Sequence, residues 1–200
     1  MVGYRQDYSL NRNKVFKYLS SAILSILGWK IEGEFPHEEK KLIIVVMHHT
    51  SNWDFPLGLL VRSKLGFEAN FAGKSSLFKP PFGFIFRWLG GYPVERDPSK
   101  KKGSLTDSMI RLYEREPKLR ITFTPEGTRS KVTKLKTGFW TIAKTADVPL
   151  LYINFDGPSK SVKIDKVQKA KETFDEQYAS LKAYFGNSKG IKAELSYTFE

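Results

Sequence analysis

The 200-residue sequence predicts a single α/β domain, in which helices flank a central, largely parallel mixed sheet and an amphipathic helix lies near the N-terminus. Two patterns support this prediction. The run LIIVV at positions 42–46 is typical of a strand buried on both faces, and strand-like and helix-like segments alternate along the chain. An apolar fraction of 40% is too high for a disordered chain, and the length suits one domain.

The first predicted element is an amphipathic helix over residues 13–29, whose apolar side chains recur at spacings of three and four. Arg12, Lys14 and Lys17 place positive charge at its start. Such a helix either lies in a membrane interface or packs on the core of its own domain, and the pattern is compatible with both.

The elements that follow alternate in type. A buried strand is predicted over Lys41–Met47, a helix over residues 55–65 and a strand over residues 67–72. Ser104, with Asp107 three residues later, resembles a capping box and predicts a helix start. The remaining predictions are strands at 119–124, 149–155 and 191–199, and helices at 136–146 and 172–185. In parallel sheets of this kind, the loops at the carboxyl ends of the strands carry function.

The composition excludes several classes of function. The sequence contains no cysteine, which rules out disulfides, thiolate metal sites and cysteine nucleophiles. A formal net charge of +12 attracts phosphate-bearing or acidic partners, whether nucleic acid, anionic lipid or an acidic carrier protein.

Residues 48–54, HHTSNWD, directly follow the buried strand. On one continuous helix His49 and Asp54 would lie about 140° apart around the axis, so they can meet only across a turn. A histidine whose Nδ1–H is held by a carboxylate has a fixed tautomer and can act as a general base on an alcohol. The alternative is a polar loop that caps a helix. A zinc site is not expected, because adjacent His48 and His49 chelate poorly and only His37 remains.

A second motif, FTPEGTRS at residues 123–130, also follows a predicted strand. Gly127 permits close approach of the backbone, Thr128 and Ser130 offer hydroxyls, and Arg129 offers a forked cation that can bind phosphate through two hydrogen bonds. Taken alone, the segment is equally compatible with an ordinary turn that bears a surface arginine.

The third motif, GGYPVERD at residues 90–97, combines a glycine turn, a short extended stretch and a second arginine, Arg96. Lys74 and an aromatic run precede it. The five aromatic residues of that run could line a channel for an apolar chain, dock on a membrane or lie in the core, and we expect at least half of them in the core. They are Phe78, Phe82, Phe84, Phe86 and Trp88.

In combination, these motifs resemble the four blocks of the glycerolipid acyltransferase family, which includes 1-acyl-glycerol-3-phosphate (lysophospholipid) acyltransferases. The matching features are His49-x4-Asp54, the stretch at residues 91–96, PEGTR at residues 125–129 and Val148-Pro149, in the family's order and approximate spacing. Each block alone is a weak signal, but His-x4-Asp followed by PEGTR is specific. The chain is therefore identified as a member of this family over residues 42–150.

The resemblance implies transfer of a fatty acyl group from an acyl thioester, acyl-ACP or acyl-CoA, to the free hydroxyl of a lysophospholipid such as 1-acyl-glycerol-3-phosphate. It implies His49 as the general base and Asp54 as its partner, with no metal and no tightly bound cofactor. The implied acceptor-binding residues are Lys74, Arg96, Glu126, Gly127, Thr128 and Arg129.

On this reading, residues 1–30 are an N-terminal amphipathic membrane-associating helix and residues 31–200 are the acyltransferase domain. No segment has the ~20 apolar residues that would span a bilayer, and no signal-peptide pattern is present, so we expect a peripheral protein on the cytoplasmic side of an anionic membrane. Nucleic acid is not an expected partner, because no nucleic-acid-binding motif occurs.

Three alternatives stay open at this point. The acceptor could be another lysolipid, such as a lyso-amino-lipid or a glycerol ether. The chain could be a non-catalytic basic module that binds membrane or nucleic acid. Acylation could also proceed through Ser51 or Thr50, although the sequence has no Gly-x-Ser-x-Gly elbow.

Overall fold

One mixed sheet organises the chain, and the computed structural model describes residues 14–94 and 104–200 of it. Within these residues seven strands form the sheet in the order β1-β7-β6-β2-β5-β3-β4. Their bounds are β1 (Lys30–Glu32), β2 (Lys41–Met47), β3 (Asn70–Lys74), β4 (Gly91–Val94), β5 (Leu119–Phe123), β6 (Leu150–Asp156) and β7 (Ser161–Ile164). Strands β6, β2, β5, β3 and β4 are parallel neighbours, whereas β7 is antiparallel to β6 and parallel to β1.

Helices connect these strands, as the alternating pattern predicts. The α-helices are α1 (Lys14–Ile26), α2 (Asp54–Leu65), α3 (Gly83–Trp88), α4 (Leu105–Arg115), α5 (Gly138–Thr145) and α6 (Phe174–Phe185), and 3-10 turns occupy Ser75–Phe78 and Ala193–Leu195. The largely parallel α/β architecture is thus confirmed. Ser104 caps α4 by accepting a hydrogen bond from the backbone N–H of Thr106.

Strand β2 lies at the centre of two apolar clusters, one on each face of the sheet. Leu42 and Ile44 belong to the cluster that includes Leu24 of α1 and Leu57 of α2. Alternate β2 residues, from Ile43 onwards, belong to the cluster that includes α4, α5 and α6. Because both faces of β2 are buried, every position between 42 and 45 is apolar, which explains the continuous run in the sequence.

Helix α1 packs on the domain and also leaves apolar side chains in solvent. Ser20 and Leu24 are its buried residues. Val15, Tyr18 and Ile26 are 70%, 72% and 84% exposed. At about 100° per residue, these exposed side chains lie on a different sector of the helix from the buried pair. Among the described residues, no helix has the length and apolar character needed to cross a membrane.

One predicted strand needs correction, and two short strands have no counterpart among the predictions. The predicted strand at 191–199 is wrong, since this segment contains the 3-10 turn and irregular backbone. Its alternating apolar residues are accommodated by aromatic packing instead: Tyr197 is buried, and the ring of Phe199 contacts those of Tyr178 and Tyr197. The short strands β1 and β7 carry too few residues for a periodic signal and were not predicted.

The aromatic run is mostly outside the core, contrary to expectation. Phe78 is buried and Phe86 is half-buried, whereas Phe82, Phe84 and Trp88 are exposed. Arg96, the triple lysine at residues 100–102 and the predicted helix start at Asn13 lie outside the described residues.

Candidate active site

The carboxyl ends of the parallel strands bring three of the predicted segments to one edge of the sheet. His49 follows β2, the segment from Glu126 to Arg129 follows β5, and Lys74 is the last residue of β3. Because β2 pairs with β5 and β5 pairs with β3, all in parallel, these ends are adjacent. The structure therefore brings these segments to one edge of the sheet, and Arg96 lies outside the described residues.

His49 and Asp54 meet across the turn between β2 and α2. His49 Nδ1 lies 3.0 Å from Asp54 Oδ2. The same carboxylate oxygen accepts hydrogen bonds from the backbone N–H groups of Thr50, at 2.9 Å, and Ser51, at 2.8 Å. Asp54 is the first residue of α2, so the helix start sets its direction. The ring of His49 retains contact with solvent, with 20% of the side chain exposed, while Asp54 is buried.

This geometry suits a base that acts on an alcohol. With Nδ1–H donated to Asp54, Nε2 on the other side of the ring carries the lone pair that can accept a proton. The two backbone N–H groups hold the carboxylate in the orientation that the histidine requires. The arrangement has the features of a histidine–carboxylate dyad.

Glu126 is buried beneath the histidine loop. Its Oε1 accepts a hydrogen bond from the backbone N–H of His49 at 3.2 Å. Oε2 is buried and has no hydrogen-bond partner among the described residues. Burial raises the pKa of Glu126 to about 7, although the hydrogen bond from His49 acts in the opposite direction. The contact that the structure shows is thus with the loop that carries His49, and the acceptor-binding role of Glu126 stays a prediction.

The next three residues lead from the turn at Pro125 and Glu126 into a surface bend. Gly127 adopts φ +64°, a left-handed conformation that favours glycine. Thr128 and Arg129 are exposed, and Thr128 Oγ1 accepts a hydrogen bond from the backbone N–H of Ser130 at 3.3 Å. Lys74 is also exposed at the end of β3. Cations therefore reach solvent on two neighbouring strands at the same edge as the dyad, where an anionic ligand could approach.

His48 faces the interior, unlike its neighbour. It is 1% exposed, and its Nε2 lies 3.2 Å from the carbonyl oxygen of Phe185, to which it can donate. Burial lowers the pKa of His48, which favours the neutral ring. Its Nδ1 is 3.9 Å from Glu126 Oε1, which is too far for a hydrogen bond. Within residues 14–94 and 104–200, no three metal-binding side chains form a cluster.

The C-terminal segment supports the histidine loop, a contact that sequence reasoning missed. Thr50 Oγ1 accepts a hydrogen bond from the backbone N–H of Lys192 at 3.0 Å. Ser51 Oγ accepts one from the backbone N–H of Trp53 at 3.2 Å. Both hydroxyl side chains are buried, so their placement disfavours acylation at either residue. Lys192 lies 142 residues from Thr50 in sequence, and no local pattern marks the pair.

Comparison with known proteins agrees with the motifs. The model of the acyltransferase family matches residues 29–155, which is well over half of the chain. The chain therefore belongs to the acyltransferase family. No curated protein matches it in sequence.

A solved structure identifies the fold more closely. The chain is similar to the 1-acyl-sn-glycerophosphate (LPA) acyltransferase PlsC from Thermotoga maritima, with a TM-score of 0.56 and 17% sequence identity. The match covers 85% of this chain and 75% of the PlsC chain. At this identity the similarity shows a common fold.

Proposed function

We propose that the protein is an O-acyltransferase that moves a fatty acyl group from an acyl thioester, acyl-ACP or acyl-CoA, to the free hydroxyl of a lysophospholipid such as 1-acyl-glycerol-3-phosphate. The observation that carries this proposal is the 3.0 Å contact between His49 Nδ1 and Asp54 Oδ2, at the carboxyl edge of the sheet. Membership of the acyltransferase family supports the reaction class. The protein needs no tightly bound cofactor, because the thioester is an activated donor.

The chemistry follows from the dyad. His49 Nε2 takes the proton of the acceptor hydroxyl as its oxygen attacks the thioester carbonyl, and a tetrahedral oxyanion forms. Asp54 stabilises the resulting imidazolium. When the intermediate collapses, the carbon–sulfur bond breaks and the imidazolium returns its proton to the departing thiolate. The products are the acylated acceptor and the free thiol of the carrier.

The charge of the site favours an acceptor that bears phosphate. Arg129 and Lys74 are exposed cations at the same edge of the sheet. Arg96, which lies outside the described residues, follows the last residue of β4 by two positions in the sequence. A phosphate monoester carries nearly two negative charges at neutral pH, and arginine matches it in charge and geometry. PlsC, which has the same fold, is a 1-acyl-sn-glycerophosphate acyltransferase. A lyso-amino-lipid or glycerol ether acceptor would make less use of these cations.

The exposed apolar stripe of α1 supports association with a membrane. Val15, Leu19 and Ile26 are exposed on a helix that begins at Lys14 and also carries Lys17. Cations next to apolar side chains suit the surface of an anionic bilayer, where lysophospholipids reside. We therefore place the enzyme as a peripheral protein on the cytoplasmic side of the membrane, with residues 1–30 as its membrane-associating segment and residues 31–200 as its acyltransferase domain.

The test is a transfer assay with purified protein. Labelled acyl-ACP and acyl-CoA are each incubated with a panel of lysolipids that includes 1-acyl-glycerol-3-phosphate, and the products are separated. We expect a diacylated phospholipid with the parent and none with His49→Ala. His37→Ala is the matched control, because His37 is an exposed histidine outside the site and its removal should preserve turnover. Undiminished transfer by His49→Ala would contradict the assignment of the base.

A further inference from the structure

An apolar surface apart from α1 surrounds the short helix α3. Phe82 and Phe84 are 65% and 68% exposed, and Trp88 is 52% exposed. Together with the neighbouring aliphatic residues they form what we call the aromatic surface, which consists of Leu77, Phe82, Phe84, Ile85 and Trp88. Large aromatic side chains are costly to leave in water, and an exposed group of them marks a contact surface.

The domain holds this segment firmly at both ends. Phe78, just before α3, is buried, and its ring fills space that the absent side chains of Gly73 and Gly91 leave open, since a Cβ there would come within 2.9 and 2.7 Å of the ring. After α3, the carbonyl oxygen of Leu89 accepts a hydrogen bond from Arg62 of α2 at 2.8 Å. The exposed aromatic side chains are therefore presented on an anchored scaffold.

The segment that carries the aromatic surface holds charge of one sign. Residues 74–94 contain no aspartate or glutamate. They contain three exposed cations, Lys74, Lys79 and Arg87. An apolar partner with negative charge at its margin would satisfy both features. A second copy of this chain in a two-fold arrangement would bring the same cations face to face, which disfavours self-association.

We propose that the aromatic surface docks on an anionic lipid bilayer, with Phe82, Phe84 and Trp88 inserted at the boundary between headgroups and acyl chains and the cations paired with lipid phosphates. Aromatic side chains on an interfacial helix are suited to that depth. This contact is additional to that of α1. It extends the proposed peripheral location and does not depend on the acyl-transfer reaction, so it can be tested without turnover.

The first experiment measures sedimentation of the full-length protein with vesicles. Phe82→Ser/Phe84→Ser/Trp88→Ser is compared with the parent on vesicles of phosphatidylglycerol and phosphatidylcholine, and on phosphatidylcholine alone. All three side chains are exposed, so the melting temperature should change little. We expect at least a tenfold weaker partition to the anionic vesicles, whereas Leu105→Ser, at an exposed leucine of α4, should bind as the parent does. Parental binding by a folded triple variant would overturn the proposal.

The second experiment reports on insertion itself. Trp88→Phe keeps an apolar ring and should still bind anionic vesicles, but it should lose part of the fluorescence quenching that brominated phosphatidylglycerol causes in the parent. Trp140→Phe is the control, because Trp140 is half-buried and its Nε1 donates to the carbonyl oxygen of Lys171. Equal quenching in the parent and in Trp88→Phe would overturn the proposal. The proposal would also be overturned if the parent were a dimer and the triple variant were a monomer that still bound vesicles, since the aromatic surface would then join two copies of the chain.

Discussion

The buried carboxyl group of Glu126 gives the protein a specific dependence of stability on pH. Burial raises the pKa of Glu126 from 4.5 to about 7 in the folded state. Below about pH 4.5 the group is protonated in both folded and unfolded chains, so its ionisation does not lower the free energy of unfolding. Between about pH 4.5 and 7 the unfolded chain releases this proton while the folded chain keeps it. The free energy of unfolding therefore falls as the pH rises through this window.

Glu126→Gln removes that titration with little change of shape. The amide oxygen can still accept the hydrogen bond from the backbone N–H of His49, which Oε1 accepts now at 3.2 Å. Within the window, the free energy of unfolding falls by up to ~1.4 kcal/mol for each pH unit. Burial moves the pKa from 4.5 to about 7, so the free energy of unfolding of the parent should fall by about 3 kcal/mol across this window. The variant should not show this fall.

The assay is urea unfolding of both proteins at several pH values from 4 to 8. The difference between their free energies of unfolding isolates Glu126, because titration of His48 and of surface groups is common to both. We expect the variant to gain in relative stability as the pH rises, with a plateau above pH 7. Glu34→Gln, at an exposed glutamate, should differ from the parent by less than ~0.5 kcal/mol throughout. The raised pKa of Glu126 would be refuted if the stability of Glu126→Gln relative to the parent stayed constant with pH or fell as the pH rose.

Four further predictions test the site and the membrane contact. Asp54→Asn should lower kcat by ~10²–10⁴, because an amide carries no charge to stabilise the imidazolium; parental single-turnover rates would contradict this. His48→Ala should cost about 2–3 kcal/mol of stability through loss of a buried, hydrogen-bonded ring, with kcat within a few-fold of the parent. A loss of turnover as large as that of a dyad variant would contradict this assignment. Arg129→Ala should raise KM ~10–100-fold for a phosphate-bearing acceptor but not for a neutral lysolipid of equal chain length, and Arg129→Lys should restore part of the loss. Equal impairment on both acceptors would assign Arg129 to loop structure alone. Val15→Ser/Ile26→Ser should weaken binding to anionic vesicles at an unchanged melting temperature, and unaltered binding would show that α1 only packs on the domain.

The strongest predictions from sequence concern segments whose signal is local. The run in β2 is apolar at consecutive positions because both faces of the strand are buried, so the uninterrupted apolar stretch is enough to predict the strand. His49 and Asp54 lie in one short segment, and the structure contains the contact across a turn that their spacing requires if the two side chains are to meet. The start of α6 also has a local signal, because Thr173 and Glu176, three residues apart, form a capping box.

Other features required the tertiary structure because they depend on residues far apart in the chain. The sequence places Glu126 in the segment that also carries Arg129, but its contact with the backbone of His49 spans 77 residues and follows from the parallel pairing of β2 and β5. The exposure of Phe82 and Trp88 likewise cannot be read from an aromatic run, because burial depends on whether another element covers the ring.

The sequence by itself thus determined the α/β class, the central strand, the dyad and the family, since each is written in the identity and spacing of neighbouring residues. The tertiary structure decided which polar and aromatic side chains are buried and which are exposed. It buried His48, whose Nε2 lies 3.2 Å from the carbonyl oxygen of Phe185, and left the adjacent His49 in contact with solvent. Burial is a property of the assembled core, and a linear pattern encodes it only where the neighbours along the chain are also the neighbours in space.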